Sequence, residues 1–107
     1  MKTLKFAANL VPLVLSGEKT VTWRLFDDKD LQEGDELELV NRETGEVFAR
    51  ARITSVRVKK LGETTEVDGE GHEKYESQEQ MLQMMRRYYV EPVTLETEVK
   101  IIKFVLN

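Results

Sequence analysis

The feature that most constrains this chain is the run from Val47 to Lys60. Val47, Ala49, Ala51 and Ile53 alternate with polar partners, but the next apolar residues, Val56 and Val58, fall on the opposite parity. Strand side chains repeat every two residues, so such a switch demands an extra residue, a bulge or bend near Thr54 and Ser55. A long strand that bends in its middle cannot belong to a flat sheet. It suits a small sheet that curls to hide its edges, and Asn41-Arg42-Glu43-Thr44-Gly45 closes a hairpin onto a preceding strand over about 36–41.

The remaining elements fit round this bent strand. Residues 3–7 alternate as a short strand. Asn9 is a candidate N-cap, Pro12 lies in a first helical turn where its missing N–H costs nothing, and Gly17 supplies the left-handed stop of a helix over 10–16. Thr20 to Leu25 alternates, with Val21, Trp23 and Leu25 on one face and Thr20, Thr22 and Arg24 on the other. Residues 61–76 hold Gly62, Gly69 and Gly71 among charges and read as a mobile loop of unusual length. Ser77 with Gln80 forms a capping box before a helix whose Met81, Leu82, Met84, Met85, Tyr88 and Tyr89 make an apolar face ending ahead of Pro92. A closing strand over 95–106 follows. The expected fold is α+β, a small mixed barrel with two short helices, and 107 residues with 40 % hydrophobic content suit one domain spanning 1–107.

Composition excludes several chemistries. Without cysteine there is no disulfide, thiolate metal site or cysteine nucleophile, and a single His leaves carboxylates as the remaining metal donors. The acidic loop Asp27 to Asp35 lacks the spacing of a calcium loop, so no metal and no cofactor are expected. No apolar run approaches the ~20 residues that cross a bilayer, so the expected address is the cytoplasm, with no membrane partner. A net charge of -4 argues against an indiscriminate nucleic-acid coat. The charge is unevenly spread, however: Arg50, Arg52, Arg57, Lys59 and Lys60 follow one another without an acid between them.

The string Leu15-Ser16-Gly17-Glu18-Lys19-Thr20-Val21-Thr22-Trp23-Arg24 resembles the N-terminal signature of the ASCH domain family, a helix ending in Gly-x-Lys-Thr that runs into a strand ending in Arg. Gly34-Asp35-Glu36-Leu37 and Glu73-Lys74-Tyr75-Glu76-Ser77 resemble two further elements, in the family's order; Lys74 and Tyr75 stand where Gly and Phe are common. The resemblance implies a PUA-like β-barrel with a cleft between barrel and helices, a site for RNA or a modified nucleoside. Relatives include amidohydrolases that remove the acetyl group of N4-acetylcytidine with a Lys, a Thr and a Glu. Carried over residue by residue, these are Lys19, Thr22 and, with a one-residue gap, Glu73.

Such a triad makes chemical sense for amide hydrolysis without a metal. Thr22 Oγ1 would attack or orient water, Lys19 would accept a proton or face the oxyanion, and Glu73 would pass a proton to the leaving amine. Ideal strand parity separates Lys19 from Thr22, so Lys19 must lie before the strand and reach across with its stem. Thr20, Arg24, Arg50, Arg52, Arg86 and Arg87 are the candidate contacts for RNA or another anionic ligand. Structural roles compete for each: threonines are strand formers, Lys19 can offset a helix dipole, and Arg86 and Arg87 can do the same. Trp23 reads as core and His72 as a solvent-exposed loop residue. Three functions remain open, ranked with an RNA- or nucleoside-binding module first, an N4-acetylcytidine-type amidohydrolase second, and a protein-interaction module third; protein partners are not legible.

Overall fold

The structure is a computed structural model, and it describes residues 1–72 and 74–107. Five strands form one mixed sheet: β1 (Lys2–Phe6), β2 (Val21–Leu25), β3 (Glu36–Asn41), β4 (Val47–Lys60) and β5 (Glu98–Leu106), with helices α1 (Val11–Ser16) and α2 (Gln78–Tyr88). The spatial order is β1-β3-β4-β5-β2, with β1 parallel to β3 and every other pair antiparallel. The sheet therefore curls into a half-barrel whose two free edges belong to β1 and β2. Arg24 spans the gap between them, donating from Nη2 to the Lys5 carbonyl at 2.9 Å.

β4 makes the curl possible. Its N-terminal half pairs with β3, while from Ala51 onward it pairs with β5. The β4–β5 register shifts between Ile53 and Ser55, where the apolar parity changes, and Thr54 Oγ1 donates to the Lys103 carbonyl at 3.3 Å. A second shift, between Leu39 and Val40 of β3, lies opposite Phe48, and no parity change in the sequence signals it.

The curl separates two apolar clusters on opposite faces. Leu4, Phe6, Leu37, Leu39, Ala51, Ile53, Ile102 and Phe104 fill the concave side, closed by Val14 of α1 and by Leu31. Val21, Trp23, Leu25, Val99 and Ile101 line the convex side of β2 and β5, under Met81 and Met85 of α2. β5 is thus buried on both faces, which is why Val99, Ile101, Ile102 and Phe104 are apolar without strict alternation.

Local signals shaped the helices with one exception. Asn9 does not cap α1: the chain enters through a 3₁₀ turn at Ala8–Leu10, and the helix begins after Leu10 with no side-chain cap, Pro12 removing one N–H that would need it. Gly17 closes α1 at φ 83°. At α2, Ser77 Oγ accepts from Gln80 N at 3.1 Å, while Gln80 Oε1 accepts from Glu76 N rather than from the cap residue itself. β5 starts at Glu98, later than the expected 95, because Thr94 to Thr97 is spent on a turn in which Thr97 N donates to the Thr94 carbonyl.

Candidate ligand cleft

The free edge of β2 is where polar groups collect. Phe104 N donates to the Thr20 carbonyl, so the alternation of an antiparallel pair turns the main-chain groups of Val21, Trp23 and Leu25 away from β5. Exposed strand edges are a liability unless covered. Here Gly71 O accepts from Val21 N at 3.1 Å, Lys19 Nζ donates to Val21 O at 3.0 Å, and Tyr89 Oη accepts from Leu25 N at 3.1 Å. The Trp23 peptide groups between them face a cavity of about 180 Å³.

This cavity lies between the end of β1, the free edge of β2 and the C-terminal half of α2. Its floor is Lys19, Thr22, Trp23 and Arg24; its walls are Phe6 and Leu10 on one side and Met84, Tyr88 and Tyr89 on the other, with His72 and Tyr75 at the end and Lys5 and Arg42 at the mouth. Among the described residues the buried polar or charged side chains are Lys19, Thr22 and Asp68. Buried polar groups are costly unless partnered, and all three belong to the cavity or its support. Thr22 Oγ1 accepts from Arg24 Nε at 3.0 Å, and the Arg24 guanidinium lies 5.0 Å over the Phe6 ring. Lys19 precedes the strand and reaches in with its stem, as strand parity requires.

The loop before α2 is tied down rather than free-standing. Trp23 stacks on His72 with ring centroids 4.7 Å apart, and Tyr75 closes on both rings at 6.0 and 5.8 Å. His72 is therefore half-buried, not solvent-exposed as its charged sequence context suggests, because the tryptophan at the strand edge offers it a planar surface. Asp68 fixes the other end of the loop. Oδ2 accepts from Lys59 Nζ at 2.8 Å and Thr65 N at 2.8 Å; Oδ1 forms an ion pair with the Arg57 guanidinium at 2.7 Å. Burial alone would push this carboxyl up, but Lys59, Thr65 N–H and Arg57 outweigh it and hold the pKa down to about 2. The Asp68 carbonyl also accepts from Trp23 Nε1 at 3.2 Å, linking the loop to the cavity floor.

Of the residues singled out in the sequence, Lys19, Thr22 and Arg24 come together in this cavity, whereas Glu73 lies outside the described residues. Thr20 lies outside the cavity, against Gly71. Arg50 and Arg52 stand on the exposed side of β4 opposite Glu38 and Glu36, and Arg50 pairs with Glu38 at 3.7 Å. Arg86 Nε donates to the Val93 carbonyl and secures the chain leaving α2, and Arg87 is exposed beside it. Lys5 and Arg42 were not legible as site residues. Arg42 reads as a hairpin residue, and only the parallel pairing of β1 with β3, with Arg42 N donating to Phe6 O at 2.8 Å, brings it to the cavity. The result is a described lining with Lys5, Lys19, Arg24, Arg42 and His72 and no carboxylate, on a chain of net charge -4. Among the described residues no three His, Asp or Glu side chains gather as a metal site, and no helix is long and apolar enough to cross a membrane.

The curled mixed sheet with two short helices is the fold that this chain shares with a solved ASCH domain. The ASCH domain model matches residues 1–106, and the chain belongs to that family. Solved structures carry the same fold at low identity. An ASCH domain from Lactobacillus crispatus is 17% identical, with a TM-score of 0.73 over 98% of this chain and 78% of its own. A protein of Enterococcus faecalis is 18% identical, with a TM-score of 0.75 over 92% and 69%. A Pyrococcus furiosus protein solved by NMR is 21% identical, with a TM-score of 0.66 over 98% and 96%. No functionally curated protein shows significant similarity to this chain.

Proposed function

We propose that the cleft binds RNA or a modified nucleoside derived from it, one base entering the cavity. The observation that carries this reading is the lining: an aromatic wall that includes Trp23, Tyr88 and Tyr89, with Lys5 and Arg42 beside it, on an otherwise acidic protein. Cationic sites raise the local concentration of anionic ligands, and aromatic walls accept any base through its π-face. Trp23 is the chain's single tryptophan, so its emission reports entry of a base directly. Titration with the common ribonucleosides, N4-acetylcytidine and a short RNA is expected to quench Trp23 saturably, and Thr22→Val with Arg24→Ala is expected to weaken the effect. Quenching that never saturates with any of these ligands would refute the reading.

A second reading, hydrolysis of the N4-acetylcytidine amide or a related one, is favoured by one specific observation: Lys19 and Thr22 are both buried against the same cavity. The Arg24 hydrogen bond to Thr22 Oγ1 would steady charge developing on that oxygen as it attacks the acetyl carbon. The C–N bond then breaks, the amine leaves with a proton, and water releases acetate. Incubation with N4-acetylcytidine, alongside Lys19→Ala, Thr22→Ala and Glu73→Ala, tests this. Turnover lost in all three supports the triad; no turnover by the intact protein removes the hydrolase and leaves the binding reading standing.

A further inference from the structure

The cavity is small for what surrounds it. Pockets that engulf drug-sized ligands run to roughly 300–1,000 Å³, whereas this one measures about 180 Å³. It takes one ring-sized group, and whatever is attached to that group must lie at the mouth. Lys5 and Arg42 stand there, both exposed.

These two differ from six other cations of the chain. Lys2, Arg50, Arg57, Lys59, Lys60 and Lys100 each pair with a carboxylate. Within the cavity, Arg24 is committed to Thr22 and to the Lys5 carbonyl, and Lys19 to Val21. Lys5 and Arg42 pair with no carboxylate among the described residues, and Glu43, the neighbour of Arg42, is turned to Ala8 N. Arg42 is also held in place. Its main-chain N–H is bonded to Phe6 O, and its guanidinium lies 5.2 Å over the Tyr88 ring. A guanidinium over an aromatic face gains cation–π attraction without spending its N–H donors, and the planar fork of arginine can bind two phosphate oxygens at once.

We infer that Lys5 and Arg42 form a phosphate-recognising mouth to the cavity, so that the ligand is taken as a nucleotide, a phosphate ester of the nucleoside, rather than as the free nucleoside. This rests on the cleft reading above and narrows it. The phosphate is either the monoester of a mononucleotide or a diester within an RNA chain, and both present anionic oxygens to the same pair of side chains.

The test compares ligands that differ only in phosphate. The common ribonucleosides and N4-acetylcytidine are titrated as free nucleosides and as 5′-monophosphates, together with a mixed-sequence short RNA, against intact protein, Arg42→Gln and Lys5→Gln. The expected result is a gain of about tenfold in affinity on adding phosphate, as for one charge-assisted contact. Read as the ratio of nucleotide to nucleoside affinity within each protein, that gain is lost in Arg42→Gln and reduced in Lys5→Gln. For RNA, each substitution is expected to lower the slope of log affinity against log salt by about one. A preference for RNA over monophosphates assigns the diester, and the reverse assigns the monoester. Equal binding of nucleoside and nucleotide overturns this inference but spares the cleft reading. Arg42→Gln weakening both alike also overturns it, because Arg42 then acts only through the Tyr88 wall. Failure of every ligand to bind overturns both.

Discussion

Replacing Asp68 with asparagine keeps the shape of the side chain and removes its charge. In the intact protein the carboxyl is held from its ordinary 3.8 down to about 2 by Lys59, Thr65 N–H and Arg57 acting against burial. A difference of roughly two pKa units corresponds to about 2.5 kcal/mol in favour of the ionised folded state. Arg57 and Lys59 are 45% and 32% exposed and rehydrate when the charge is lost, so the cost settles at about 2 kcal/mol at pH 7. For a domain of this size that is roughly 8–16 °C in Tm. The folded pKa lies below the unfolded one, so the stabilisation is complete above about pH 4 and lost as pH falls through 2. Urea unfolding of both proteins between pH 7 and pH 2.5 is the assay. A free-energy difference that shrinks steadily below pH 4 is expected; one that stays constant with pH, or is under 0.5 kcal/mol at neutral pH, would refute the electrostatic account of this anchor.

Two further substitutions probe the supports of the cleft. Gly71 holds φ at 78°, and a Cβ there would lie 2.1 Å from Thr20 Oγ1; Gly71→Ala is therefore expected to cost roughly 1–3 kcal/mol. Adding Thr20→Ala should restore part of it, with a coupling of at least about 0.5 kcal/mol in a double-mutant cycle; strict additivity by thermal melts would place the strain elsewhere. Ser77→Ala removes the oxygen that caps Gln80 N at the start of α2, and a loss of about 1 kcal/mol is expected. A change within error in denaturant midpoint would mean that Gln80 and water satisfy that helix end without it.

The sequence by itself determined the order of the elements and the bend in the middle of β4. The parity change at Thr54 and Ser55 is a local record of a bulge, because side-chain direction along a strand is fixed by covalent geometry and no distant contact is needed to read it. Gly17 and the Ser77–Gln80 pair are legible for the same reason: turns and caps are settled within a few residues. The Lys19 to Arg24 string was legible through the family it resembles. What the chain could not announce is anything set by which strands become neighbours. Arg42 reaches the cavity only because β3 runs parallel to β1, and His72 is half-buried only because the loop before α2 folds back onto Trp23 at the uncovered edge of β2. The basic run after Ala49 reads as a binding surface, yet tertiary pairing sets Arg50 and Arg52 opposite β3 glutamates and sends Arg57 and Lys59 to Asp68. Charge order along a chain records composition, while the field in a cleft depends on long-range pairings that bring distant residues within hydrogen-bonding reach, and those exist only in the folded state.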